Sequence, residues 1–421
     1  MRFQSLSDWL HWQEQLHPSN IELGLARVRE VWSRLHTNDF ACPVISVAGT
    51  NGKGSSVAML QAIYLQAGYA VGAYTSPHLW RYNERVTLNG VPVSDAMLCK
   101  AFARIDAARG DISLTYFEFG TLAALDIFMQ QGLDVVILEV GLGGRLDAVN
   151  IIDADVALIT SIDLDHQHWL GEDRESIARE KAGILRSHNT GVVSDPDIPR
   201  SLLDVARELG NPLLCLARDF HYQLDNGSWA WRSAHAQRAG LPVPALVGAQ
   251  QLQNAAGVLM VVEILGARLP VSQADVRNGL LNARVPGRFQ IKPGTITQIF
   301  DVAHNPAAAQ RLARSLASYP ASGKVHAVFA ALADKDIAGV VAPLCAQVSQ
   351  WYLAPLDVPR AASLSALVQA VRQVCAVDVP LHEFAQLNNA LQAALQAAQP
   401  GDIVLVFGSF YTVAQLGREG L

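Results

Sequence analysis

A run of aliphatic residues that enters a glycine-rich turn holding one lysine leaves few folds open to a chain. Here Pro43-Val44-Ile45-Ser46-Val47-Ala48 leads into Gly49-Thr50-Asn51-Gly52-Lys53-Gly54-Ser55, and a helical stretch from Ser55 to Gln66 follows, stopped near Gly68. Strand, loop, lysine, hydroxyl and helix in that order make a cradle for phosphate groups. Glycines let backbone N–H groups turn inward, the helix N-terminus favours negative charge, and Lys53 adds a point charge. The general pattern G-x-x-x-x-G-K-[ST] is broken twice: Val47 stands at the first glycine position, and Gly54 follows the lysine, so the hydroxyl arrives at Ser55. The plainer alternative is a glycine-rich turn with an incidental lysine.

The surroundings of the loop predict a parallel sheet. Strands are expected at 70–74, 134–139 and 156–160, and helices at 94–108 and 117–131. Strands that are apolar on both faces and alternate with helices belong to a sheet covered on both sides. Residues 1–40 read as helical, with Trp9, Leu10, Trp12 and Leu16 as a rough apolar stripe. The segment 219–244 breaks the pattern: Tyr222, Trp229 and Trp231 stand among polar residues and glycines, which predicts a small β element, either exposed or plugging a core. A helix is expected at 250–265, a boundary near Pro286, and then a second alternation with strands at 295–300, 325–329 and 403–407. The fold class is therefore α/β: a phosphate-loop parallel-sheet domain over 1–285 and a smaller doubly wound domain over 286–421.

Ligands of such sheets bind beyond the carboxyl ends of the strands. Glu139 closes an aliphatic strand beside the loop and is placed to hold Mg2+; alone it would read as a surface acid. Ser76 and His166 follow two further strands on the same rim, so Ser76, Glu139 and His166 are candidate ligands of one cation. A lone histidine equally reads as a structural hydrogen bonder. The glycines of Gly141-Leu142-Gly143-Gly144 permit close approach of a ligand. Lys181 reads as a lysine on a helix surface.

Composition removes several function classes. The net charge of −6 argues against nucleic acid as the main partner. No apolar run approaches a membrane span, and the N-terminus lacks a signal-peptide pattern, which points to the cytoplasm. The five cysteines are scattered and odd in number, so free buried thiols are expected, with neither a disulfide framework nor a zinc site.

The loop Gly49–Ser55, the stretch Glu139–Asp147 and Asp301-Val302-Ala303-His304-Asn305-Pro306 resemble the Mur-ligase superfamily. Within it, Thr75-Ser76-Pro77-His78-Leu79, Leu114–Phe119 and Pro286-Gly287-Arg288-Phe289 resemble folylpolyglutamate synthases. Glu22-Leu23-Gly24-Leu25 and Phe407-Gly408-Ser409-Phe410 are similar to the bacterial bifunctional dihydrofolate synthase/folylpolyglutamate synthases. The resemblance implies an ATP- and Mg2+-dependent ligase, expected as a monomer, with its active site between two domains. It would join L-glutamate to dihydropteroate, and further glutamates to reduced folates, through an acyl phosphate. Carried over by motif, Thr50, Asn51, Gly52, Lys53, Gly54 and Ser55 would hold ATP phosphates, and Asn254, Arg288 and Asp301 the rest of the nucleotide. Ser76, Glu139 and His166 would bind Mg2+, and Lys181 would be carbamylated to serve a second ion. Gly24, Leu25, Phe117, Leu146 and Asp147 would form the pterin pocket. Asp301, His304 and Ser409 would surround the glutamate, with His304 orienting or deprotonating its amine. A peptidoglycan-precursor ligase would need a larger N-terminal domain than the 40 or so residues before the first strand allow. A guanine-reading switch would need an N-K-x-D-type motif, and Asp334-Lys335-Asp336 lacks the asparagine.

Overall fold

A computed structural model describes residues 2–19, 21–225, 227–320 and 323–417. The chain divides into two compact units, one of residues 1–245 and 251–284, the other of 246–250 and 285–421.

The first unit is built on an eight-stranded sheet. Its strands are β1 (Val44–Ala48), β2 (Val71–Tyr74), β3 (Val86–Leu88), β4 (Val91–Pro92), β5 (Val135–Glu139), β6 (Val156–Ile159), β7 (Thr190–Val193) and β8 (Leu213–Cys215). They lie in the order β4-β3-β2-β5-β1-β6-β7-β8. The six strands from β2 to β8 are parallel, with Val47 beside Glu139 across β1 and β5. All five residues of β1 and of β5 are buried, as an aliphatic run between two helical layers must be. The exception to the expected parallel order is the edge hairpin β3–β4, in which β3 runs antiparallel to β2 and β4 antiparallel to β3. Asn89-Gly90 makes its turn, with φ of 52° and 78°. That dipeptide is a strong hairpin signal, because both central residues of the turn need positive φ.

The N-terminal stripe folds as expected: Ser5 caps the helix Leu6–Leu16, Trp9 is fully buried, and Leu10, Trp12 and Leu16 pack partly buried against the same core. The aromatic segment is both of the things foreseen. β9 (Phe220–Asp225), β10 (Ser228–Ser233) and β11 (Gln237–Pro242) form an antiparallel sheet whose Tyr222 and Leu224 are exposed while Trp229 and Trp231 are buried. Trp231 Nε1 donates to the carbonyl of Ala256 at 3.1 Å, which fixes the helix Gln250–Ile264 that carries Asn254.

The second unit holds a mixed six-stranded sheet: β12 (Gln290–Lys292), β13 (Thr297–Asp301), β14 (Val325–Phe329), β15 (Gln350–Leu353), β16 (Leu381–Glu383) and β17 (Ile403–Phe407), in the order β12-β13-β17-β14-β15-β16. Only β12 runs antiparallel. One expectation fails here. Cys345 and Cys375 are joined by a disulfide, with their Cα atoms 5.2 Å apart, while Cys42, Cys99 and Cys215 are free thiols. The helix Leu364–Val374 packs against Ile337–Val341 and ends at Cys375, a contact across 30 residues of chain that scattered spacing does not reveal.

Candidate active site

The phosphate loop is held from one side by the segment after β6. Thr50 donates its backbone N–H to the Ser161 carbonyl at 2.7 Å and its hydroxyl to the Asp163 carbonyl at 3.0 Å. The hydroxyls of Thr160 and Ser161 both donate to the Asn51 carbonyl at 2.9 Å. Two glycines are required here. Gly49 and Gly52 have φ of 149° and 101°, and a Cβ would lie 1.8 Å from Thr160 Oγ1 at the first and 2.6 Å from Asn254 Oδ1 at the second. Asn254 is itself buried, so it abuts the loop from the helix Gln250–Ile264. Lys53 Nζ donates to the carbonyls of Gly49 and Thr50 at 2.9 and 3.3 Å, curled over the loop it would serve.

Glu139 links this loop to a cavity. Its carboxylate is buried, would meet a Cβ on Gly54 at 3.8 Å, and accepts the backbone N–H of Ser76 at 3.1 Å. Ser76 in turn lines a cavity of about 250 Å³ whose other walls include Gly24, Phe117, Leu146, Asp147 and His166. Leu25 lies just outside it, at the N-cap of the helix Ala26–Leu35. Asp147 is the buried acid of this cavity. Burial pushes its carboxyl up to about 6, against hydrogen bonds from the backbone N–H groups of Leu142, Val149 and Gly141 and the pull of the Lys53 charge. His166 has a φ of 51° and its side chain is 44% exposed, so its ring reaches solvent at the cavity rim. Among the described residues no three His, Cys, Asp or Glu side chains form a ready-made metal cluster.

Lys181 is not on a surface. It is 3% exposed, and burial, followed by repulsion from Lys53, lowers its ammonium to about 7, while Asp165 and Asp147 oppose the shift. The single-helix view of Glu180-Lys181-Ala182 missed this because the helix Arg174–Ala182 buries the face that bears Ile177, Ala178, Lys181 and Ala182.

Residue-level reading also missed Arg85, Thr115 and Glu118, which line the cavity. Arg85 lies 5.3 and 5.7 Å from the ring centres of Tyr82 and Tyr116 and donates Nε to His78 Nδ1 at 2.9 Å. Burial, with the Arg85 charge second, holds the His78 imidazole down at about 4. Thr115 and Glu118 form a capping box, and the spacing T-x-x-E is a sequence signal for that turn.

Arg288, Asp301, His304 and Ser409 belong to the second unit. Asp301 ends β13 and accepts the N–H groups of Phe289 and Ala303 at 2.7 and 2.8 Å; burial raises its carboxyl, with Arg288 the main opposing influence. The Phe410 ring gathers His304, 5.8 Å between ring centres, and Arg288, 5.3 Å from its guanidinium carbon. Ser409 Oγ accepts the N–H of Thr412 at 2.9 Å and so starts the helix Phe410–Gly417.

Residues 47–214 match the Mur ligase middle domain, and residues 287–410 the Mur ligase glutamate ligase domain. The chain is 47% identical to the dihydrofolate synthase/folylpolyglutamate synthase of Escherichia coli, over 98% of this chain and 94% of that one. The structure of E. coli FolC in complex with DHPP and ADP superposes with a TM-score of 0.93 at 47% identity, over 98% of this chain and 97% of that one. A bifunctional folylpolyglutamate synthase/dihydrofolate synthase with Mn, AMPPNP and L-glutamate bound gives 0.90 at 48% identity, over 98% and 97%. Similarity of this extent, carried by both domains and along nearly the whole chain, means that the chain belongs to the Mur ligases and, among them, to the dihydrofolate synthase/folylpolyglutamate synthase family.

Proposed function

We propose that this chain is an ATP-dependent amide ligase that adds L-glutamate to dihydropteroate, giving dihydrofolate, and further glutamates to reduced folates. The observation that carries the reading is the continuity of the site in the first unit. One buried carboxylate, Glu139, faces the phosphate loop at Gly54 and holds Ser76 in the wall of a largely apolar cavity. A ring system in the cavity and a triphosphate in the loop would thus lie on either side of one acidic group.

The donor set fits a hard divalent cation: an oxygen donor at Glu139, a hydroxyl at Ser76 and an imidazole at His166. We assign Mg2+ to these residues, where it would neutralise charge on phosphate oxygens. The loop fits phosphates because side chains are excluded at Gly49 and Gly52, leaving backbone N–H groups to face the ligand. A carboxylate is anionic and reacts poorly with an amine. Its oxygen therefore attacks the γ-phosphorus of ATP, ADP leaves, and an acyl phosphate forms. The glutamate amine attacks that carbonyl, loses a proton, and phosphate leaves. Lys53 acts on the transferred group by position and charge. Arg288 and Asp301 are assigned to the nucleotide, and His304 and Ser409 to glutamate. Lys181, with its amine near neutrality at about pH 7, is suited to react with carbon dioxide, and we assign it as a carbamate. We take the enzyme to be monomeric and cytoplasmic.

The test is ADP release by the purified chain with Mg2+-ATP and L-glutamate, with dihydropteroate in one reaction and tetrahydrofolate in another. Turnover with both is expected. Turnover with tetrahydrofolate alone would leave a folylpolyglutamate synthase, and none with either would overturn the reading.

A further inference from the structure

One wall of the cavity has no regular structure of its own. Ile21, Glu22, Leu23 and Gly24 line it, and they lie between the helices Leu6–Leu16 and Ala26–Leu35 in neither helix nor strand. Such a segment needs an external tie to keep one position, since ordering each residue costs about 1–2 kcal/mol in backbone entropy. The tie is Arg27. Its Nη1 donates to Glu22 Oε1, its Nη2 donates to the Glu22 carbonyl at 3.2 Å, and the same Nη2 donates to Glu118 Oε1 at 2.8 Å. Glu118 is buried and its other oxygen accepts the Thr115 N–H at 2.7 Å, so the acid that caps the turn Thr115–Glu118, another part of the cavity lining, also receives the latch. His17 Nε2 stands 3.1 Å from the second oxygen of Glu22, a further contact to the residue that Arg27 holds.

Helix stability does not explain an arginine at this place. Arg27 is the second residue of its helix, where a positive charge opposes the macrodipole, and that first turn has no acid and no side-chain cap. Its charge is answered instead by two carboxylates that both line the cavity, Glu22 and Glu118. A planar guanidinium can hold several acceptors at fixed angles, which an ammonium cannot.

We propose that Arg27 is a positioning residue for the acceptor: it latches the segment Ile21–Gly24 to the turn Thr115–Glu118 and so sets the width of the cavity in which the acceptor's ring system binds. The inference rests on the assignment of that cavity to the pterin-bearing substrate. Among the described residues, the polar contacts of Arg27 are to Glu22 and Glu118, neither of them in the phosphate loop or assigned to the reacting atoms, so its effect should fall on acceptor binding.

The experiment measures ADP release by the full chain, first as wild type and then as Arg27→Met, Arg27→Lys and Glu22→Gln, with each substrate varied in turn. Wild-type turnover with either pterin acceptor secures the underlying reading independently of the variants. Arg27→Met is expected to raise KM for the pterin acceptor on the order of tenfold, about the effect of losing one strong hydrogen-bonded tie, with KM for ATP and glutamate and kcat kept within about twofold. Arg27→Lys should fall between the two, and Glu22→Gln should raise the same KM by a smaller factor. Glu22 is half exposed, so that variant folds even if Arg27→Met, which strands buried Glu118, does not. An unchanged acceptor KM in Glu22→Gln and in whichever Arg27 variants fold would overturn the proposal, as would an equal loss of kcat with every KM unchanged.

Discussion

At the scale of single residues, the burial of Lys181 has a consequence for pH. In the unfolded chain its amine keeps the ordinary 10.5, whereas in the fold it falls to about 7. Between those values the unfolded chain binds more protons, so stability rises with pH across that window; below about 7 the charged amine is buried at full cost. In carbon-dioxide-free buffer, the unfolding midpoint in denaturant should therefore climb more steeply with pH for the wild type than for Lys181→Met. Parallel pH profiles would refute a titrating buried amine. Added bicarbonate should raise wild-type turnover and leave Lys181→Met unaffected, since only the lysine can form a carbamate. Lys53, Glu139 and Ser76 stand out in the sequence as candidates because each sits next to a strand end, and the positions of strand ends follow from hydrophobic runs. The burial of Lys181 does not, because a lysine reads as exposed until the helix that carries it is known to present that face to a core.

Secondary-structure elements were legible where one period ran long enough. The strands around the loop and the helices at 95–109 and 116–129 follow from apolar periodicity and caps such as Ser94 and Thr115. The short strands β3, β4, β12 and β16 at the sheet margins are two or three residues each, too brief to show a period, and of these only β3 and β4 carry a turn signal, the Asn89-Gly90 that joins them. The pairing of Cys345 with Cys375 was illegible for another reason: it depends on helix packing in three dimensions. That bond ties the end of the helix Leu364–Val374 to the turn after Ala342–Leu344 and closes a loop of about 30 residues. Loop-closure entropy puts its contribution at about 3–4 kcal/mol in the chain-entropy account. Cys375→Ser should accordingly unfold at lower denaturant than wild type without reductant, and the difference should vanish in excess dithiothreitol. Equal midpoints in the absence of reductant would show that the bond contributes nothing to the second unit.

For the whole molecule, the two compact units carry different parts of the proposed reaction, and kinetics can separate them. The first unit holds the phosphate loop and the cavity; the second holds His304 in a short motif whose local logic is plain. Asn305 caps the helix Pro306–Ser318, with proline at its first position, and this fixes the backbone just after the histidine. His304 Nδ1 lies 2.9 Å from the Val302 carbonyl. A carbonyl only accepts, so Nδ1 carries the hydrogen and Nε2 is the basic nitrogen of the neutral ring. That tautomer suits a group that takes a proton from an amine. His304→Ala should lower kcat on the order of a hundredfold or more, as loss of a general base does, with KM for the pterin acceptor unchanged. Phe117→Ala should do the reverse: its ring lines the cavity and packs where a Cβ on Gly141 would lie 2.5 Å away, so its removal should raise acceptor KM and spare KM for glutamate. If both variants shifted the same constants, the division of labour between the units would be wrong. If His304→Ala changed only the acceptor KM, the histidine would belong to acceptor binding and the proton would need another base.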